Sequence, residues 1–343
     1  MRCDSRWAVA ALVTVTLSVI LILSVGSSAR SSGKPVLVYK EKYIMGTVFE
    51  IAAYAESSEE ASAAIDKALQ EIVRMDNLMS NYKPESALSR LNRSAHFHTQ
   101  QVPPDLYRVI EQAVQFSRLS GGKFDITVAP LVNLWKAALS GDSMPSLSQR
   151  QQAEDCVGYE KIELTPPDQI TFRSSCMQLD LGAIGKGYAV DRAGEILQTS
   201  GIHNALINSG GSTILAMGTP PGQPGWLVHL RDPSHKVDPY VRLKDQSVST
   251  SEQTSASLLA PESAGHIIDP TTGRPVDSRF AVSVITSSGT PSDGLSTTLL
   301  LLGPKVGKSL IEGMRNVSAI WLSPKAEIET VTNGPQIFFG KRL

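Results

Sequence analysis

Only three cysteines occur in 343 residues, none of them in a C-x-x-C spacing, and the six histidines are scattered. This argues against a structural zinc or iron-sulfur centre and favours oxygen ligands for any metal. Charge of one sign is also lacking: 32 Lys and Arg stand against 33 Asp and Glu, for a formal charge of −1. No global basic field exists to hold nucleic acid or an acidic membrane, so any phosphate must be gripped locally. Aromatic residues make up only 6% of the chain, but 41% hydrophobic with 19% charged is a globular composition and rules out wholesale disorder.

One long apolar run is present. Arg2 and Arg6 precede Ala8 to Val25, which carries no charge, and small residues follow at Gly26 to Ala29. This is the pattern of an export signal, and the run is also long enough to remain as an uncleaved anchor. Residues 1–29 are therefore expected to be a signal or anchor, with residues 30–343 as one domain outside the cytoplasm, at the periplasmic or extracytoplasmic side. Without the signal, Cys156 and Cys176 remain. The stretches Tyr159 to Leu164 and Gln169 to Arg173 flank Thr165-Pro-Pro-Asp168 and read as a hairpin. Pairing Leu164 with Gln169 sets Cys156 opposite Met177, so a bridge to Cys176 would need a one-residue bulge; two half-buried thiols are the alternative.

Val36 to Ala53 reads as two strands split near Met45-Gly46-Thr47. Ser57 with Glu60 is a capping box opening a helix with apolar positions at helical spacing from Ala61 to Met79. Further helices are expected over Pro104 to Leu119, ended by Gly121-Gly122, over Gly187 to Gln198, and over Ser292 to Leu302. β-Rich runs fall at Asn204 to Met217, Trp226 to Leu230, Ser247 to Ser249, Phe280 to Ile285, Ser318 to Leu322 and Glu327 to Val331. The mixed order, without regular alternation, predicts an α+β fold in which a mixed or antiparallel sheet packs against helices.

Three stretches could carry chemistry. Leu179 to Asp191 runs from a strand through Gly182, Gly185 and Gly187 into a helix, so backbone N–H groups, a helix N-terminus and Lys186 could face an anion; a tight connection is the plainer reading. Asp180 could accept from a ligand or cap a turn. Gly265 to Pro275 holds His266 and Asp269 in a turn-rich setting. In Ser292 to Thr298, Ser292 or Asp293 could simply cap a helix, but Asp293 and Thr297 lie four apart and present a carboxylate and a hydroxyl to one ion, a donor pair suited to Mg²⁺.

Together with Met45-Gly-Thr47, Met79-Ser-Asn-Tyr82, Ser86 to Asn92, Gly122 to Asp125, Pro130 to Trp135 and Ile207 to Gly211, these stretches resemble the ApbE family, the FAD:protein FMN transferases. The resemblance spans nearly all of the chain after the signal. It implies an enzyme that binds FAD and Mg²⁺ and transfers FMN to a Thr or Ser hydroxyl of a partner redox protein, releasing AMP. A metal-dependent FAD pyrophosphatase and a flavin binder without turnover are the alternatives. It implies that Met45, Tyr82, Lys123, Phe124, Asp125, Asp180, Lys186 and Ile267 line the FAD pocket, and that Asp293, Thr297 and the Ala183 carbonyl are metal ligands with Ser296 nearby. His266 would be the catalytic base. The chain departs from the family pattern where Thr250-Ser251 runs into Glu252-Gln253-Thr254, at Gly185 where Ala is common, and in lacking a cysteine after the apolar run.

Overall fold

The structure is a computed structural model describing residues 34–140, 144–253 and 267–340. The expected signal segment and His266 lie outside the described residues. In chain order the strands are β1 (Val36–Ile44), β2 (Thr47–Ala55), β3 (Gln100–Gln101), β4 (Ile162–Thr165), β5 (Gln169–Phe172), β6 (Asn204–Ser209), β7 (Thr213–Met217) and β8 (Trp226–His229). They continue as β9 (Pro239–Leu243), β10 (Gln246–Glu252), β11 (Ile268–Asp269), β12 (Arg274–Pro275), β13 (Ala281–Thr286), β14 (Ser318–Leu322), β15 (Ile328–Thr332) and β16 (Ile337–Phe339). The helices are α1 (Ser58–Met79), α2 (Ala87–Ser94), α3 (Pro104–Leu119), α4 (Ala129–Ser140), α5 (Leu147–Glu154), α6 (Gly185–Thr199) and α7 (Gly289–Ile311). Among the described residues no helix is long and apolar enough to cross a membrane.

An eight-stranded antiparallel sheet in the order β1-β2-β6-β7-β10-β13-β14-β15 forms the centre of the α+β fold. One face is covered by helices. Phe49, Ile51, Ile207 and Leu215 pack with Ile65, Ile72, Ala189 and Ala193 of α1 and α6, while Val282, Val284 and Trp321 pack with Leu295 and Leu299 of α7. The other face takes the small sheet β16-β9-β8, whose Trp226, Val228 and Val241 meet Val248 and Ile285. The strict alternation along the central strands places one set of side chains in each layer.

Local signals explain the boundaries. Ser57 Oγ accepts the Glu60 N–H at 3.2 Å at the start of α1. Gly121 and Gly122 carry φ of 60° and 83° just past α3, the left-handed conformation that suits glycine at a helix end. Cys156 and Cys176 are joined, as one sequence alternative held, but not through the hairpin ladder. Thr165, not Leu164, pairs with Gln169, and Tyr159–Lys161 form a short 3₁₀ turn before β4, so Cys156 lies outside the strand. α7 begins at Gly289 rather than Ser292, and its cap comes from another helix. Asp191 of α6 accepts the N–H groups of Gly289 and Thr290 and the Thr290 hydroxyl, leaving Ser292 and Asp293 inside the helix. The expected end at Leu302 is a kink at Gly303-Pro304, beyond which the helix resumes.

Candidate functional site

A cavity of about 810 Å³ opens where the ends of β1, β10 and α6 meet α7 and the segment after α3. Met45, Tyr82, Lys123, Phe124, Asp125, Asp180, Ala183, Lys186, Ile267, Asp293 and Thr297 all line it. Segments far apart in sequence are thus brought to one place. Ser296 is buried behind the wall, where its hydroxyl meets that of Ser251 at 2.8 Å.

The β1–β2 connection is a two-residue hairpin turn in which Met45 and Gly46 both have positive φ, 51° and 76°. A methionine in that conformation is strained, and the turn sets it at the cavity. Asn92 of α2 clamps the next wall: its amide accepts the Leu179 N–H at 2.8 Å and donates to the Leu179 carbonyl at 3.0 Å. Asp180 follows, and its Oδ1 accepts the Gly182 N–H at 2.7 Å. Asp180 therefore caps the turn into α6 while lining the cavity.

Two glycines of that turn, Gly185 and Gly187, differ in what surrounds them. A β-carbon on Gly187 would overlap the Gly289 carbonyl and sit 2.7 Å from Asp293 Cβ, so this glycine lets α6 and α7 touch. Its N–H is spent on Asp293 Oδ2 at 2.8 Å and is not offered to a ligand. A β-carbon on Gly185 would meet only Leu181, Met45 and Met79 at 3.8 Å.

Several charged groups at the cavity are already paired within the protein. Lys83 binds Asp76, Lys123 binds Asp269 at 2.7 Å and Thr271 at 2.6 Å, and Arg231 pairs with Glu252. Burial opposes the charge on Asp269, but the Lys123 and Thr271 donors outweigh it and hold this carboxyl below its usual range. Lys186 has no ion-pair or hydrogen-bond partner among the described residues, and its charge favours ionised Asp293. Burial nonetheless pushes the Asp293 carboxyl up; the residue is only 4% exposed. Asp125 is raised by burial too, and its oxygens accept from Thr127 and the Tyr159 N–H, so it braces the wall from within.

Beneath Asp293 and Thr297 lies a hydroxyl network. Ser247 and Ser249 of β10 both meet Ser292 Oγ, at 3.0 and 2.7 Å, and Ser251 meets Thr297 Oγ1 at 3.0 Å. Among the described residues no group of three or more His, Cys, Asp and Glu could hold a metal. A buried, undercompensated carboxylate beside a hydroxyl fits a hard cation that takes most of its ligands from water and substrate phosphates. Tyr82 is 82% exposed at the cavity, with Lys136 Nζ donating to its hydroxyl at 2.8 Å and 5.1 Å from its ring centre. Tyr43 and Arg231 also line the cavity without any signal in the sequence, and so does Glu252, known from the sequence only as a departure from the family pattern. The alternation S-V-S-T-S in β10 was the one available sign of a hydroxyl face.

The sequence model of the ApbE family matches residues 45–321. A protein of Vibrio cholerae serotype O1 named FAD:protein FMN transferase is 29% identical over 285 residues, covering 78% of this chain and 82% of its own length. A Treponema pallidum protein of the same name is 27% identical over 312 residues, covering 84% and 85%. Among solved structures, the flavin transferase ApbE from Vibrio cholerae superposes with a TM-score of 0.75 at 26% identity, covering 89% of this chain and 97% of that one.

Proposed function

The chain belongs to the ApbE family, and from that premise we propose that it transfers FMN from FAD to a Ser or Thr hydroxyl of a partner protein. The observation that carries the reading is the grouping, on one cavity, of Lys186 at the α6 N-terminus with buried Asp293 and Thr297. A pyrophosphate needs positive charge at both phosphates, and the local cation and helix end supply it without a basic surface. The cavity lies within the roughly 300–1,000 Å³ range of cofactor sites.

In the reaction the acceptor oxygen attacks the FMN phosphorus and the bond from that phosphorus to the AMP oxygen breaks. AMP leaves with the bond's electron pair, and the hydroxyl proton passes to His266, whose neighbour Ile267 lines the cavity. Lys186 faces the phosphates, Tyr82 offers a ring for stacking, and Asp180 orients polar atoms of the flavin nucleotide. Asp293, Thr297 and the Ala183 carbonyl would hold Mg²⁺, which supplies charge neutralisation at the pyrophosphate. Export to the extracytoplasmic side is supported by the apolar N-terminal run and by the Cys156–Cys176 bridge, a bond of oxidising compartments.

Two variants test the assignment. His266→Ala is expected to lower turnover by about 10²–10⁴-fold while FAD binding, read by flavin fluorescence, persists. Asp293→Ala is expected to abolish Mg²⁺-dependent AMP release; unchanged release would remove the metal assignment.

A further inference from the structure

Gln253 is one of the departures from the family pattern and has no part in the chemistry above, yet every polar atom of its side chain is used. Nε2 donates to the Ile267 carbonyl at 2.9 Å and to the Val276 carbonyl at 3.2 Å, and Oε1 accepts the Ile267 N–H at 3.1 Å. The amide thus pairs both backbone groups of Ile267, as a neighbouring strand would, at the point where β10 ends. Asn92 treats Leu179 in the same way just before the Asp180 turn. The Ile267 stretch is also tied by Val276 N–H to the Ile267 carbonyl at 3.0 Å, by the β11–β12 pairing and by Lys123 on Asp269, but among these only the Gln253 amide joins it to β10.

We propose that Gln253 is a positioning residue for the transfer reaction, fixing the Ile267 wall of the cavity to the end of β10 that carries Ser251 and, through it, Thr297. The proposal rests on the reading of the cavity as the FAD site. It follows from the bonding: without the amide, the Ile267 N–H loses its acceptor and the wall loses its tie to the strand beneath the Asp293–Thr297 pair.

The test compares Gln253→Ala with Gln253→Glu, each as a ratio to wild type across pH. A protonated glutamic acid can donate to one carbonyl and accept the Ile267 N–H. An ionised one faces the Ile267 and Val276 carbonyls with no donor, which also raises its pKa. The charged pairs on the adjoining elements, Arg231 with Glu252 and Lys123 with Asp269, are common to all three proteins, so their own titration cancels in the ratio. Gln253→Ala is expected to lower kcat/KM for FMN transfer by about 10²-fold at every pH, the scale of a small misplacement. Gln253→Glu is expected to be as poor near about pH 8 and to recover at least about tenfold in the ratio towards about pH 5. Wild-type turnover in Gln253→Ala, or a Gln253→Glu ratio that does not change with pH, would overturn the proposal. If Gln253→Ala does not fold, the Gln253→Glu ratio still decides. If wild type binds FAD but transfers no FMN, the transfer reading fails separately, and the same ratios of FAD affinity judge Gln253.

Discussion

Gly185 and Gly187 sit two residues apart at the start of α6 and answer to different constraints. Gly185 has room for a β-carbon at ordinary contact distance, and the family's alanine would fit there. Gly185→Ala is expected to raise stability by about 0.5–1 kcal/mol, the helix preference of alanine over glycine. Gly187→Ala would push α6 off Gly289 and Asp293, costing about 1–3 kcal/mol and disturbing the Asp293 carboxylate with it. Urea unfolding of both variants measures the contrast, and equal effects would contradict it. At this scale the sequence marked Asp180, Lys186, Asp293 and Thr297 as candidates, and the fold sets all four at one cavity. It was silent at Arg231, an ordinary loop arginine that only the fold brings to Glu252 at the end of β10.

Asp105 joins three helices. From α3 it accepts from Arg74 of α1 at 2.6 Å, from Arg108 at 3.1 Å, and from the Tyr188 hydroxyl of α6 at 2.8 Å. Burial works against its charge, but the Arg74 and Tyr188 hydrogen bonds and the Arg74 and Arg192 charges outweigh it and hold the carboxyl below its ordinary 3.8. A depressed folded pKa contributes stability that is complete above the unfolded value and is lost as pH falls through the folded one. Asp105→Ala is therefore expected to cost about 2 kcal/mol at neutral pH, and the difference from wild type should shrink on acidification below the ordinary carboxylate range. Chemical unfolding as a function of pH checks it; a difference that grows in acid would contradict the arrangement. Elements with strong periodicity, such as α1 and α3, were legible from sequence. α2, α4 and α5 were not, being short or lacking a clear polar face; α2 holds through Ser86, which caps it and donates to the Ser80 carbonyl. The α7 cap could not be read locally either, because Asp191 lies 98 residues before Gly289.

For the molecule as a whole, the eight-stranded sheet is the frame against which separate loops meet at one cavity. The Cys156–Cys176 bridge closes a 20-residue separation around the β4–β5 hairpin, whose neighbour Tyr159 is held by Asp125 at the cavity wall. Replacing both cysteines by serine is expected to cost about 3 kcal/mol, the chain-entropy value for a loop of this length, and thiol labelling of Cys156 and Cys176 in wild type should require reductant. The order of motifs along the chain anticipated the shared cavity, while the hairpin register, shifted by one residue, did not follow from the turn sequence alone. The most direct test of the central claim is to incubate the protein with FAD, Mg²⁺ and an acceptor protein and follow the acceptor's intact mass together with AMP. The account predicts one FMN gained on a Ser or Thr for each AMP released; AMP and free FMN with an unmodified acceptor, or FAD remaining whole, would contradict it.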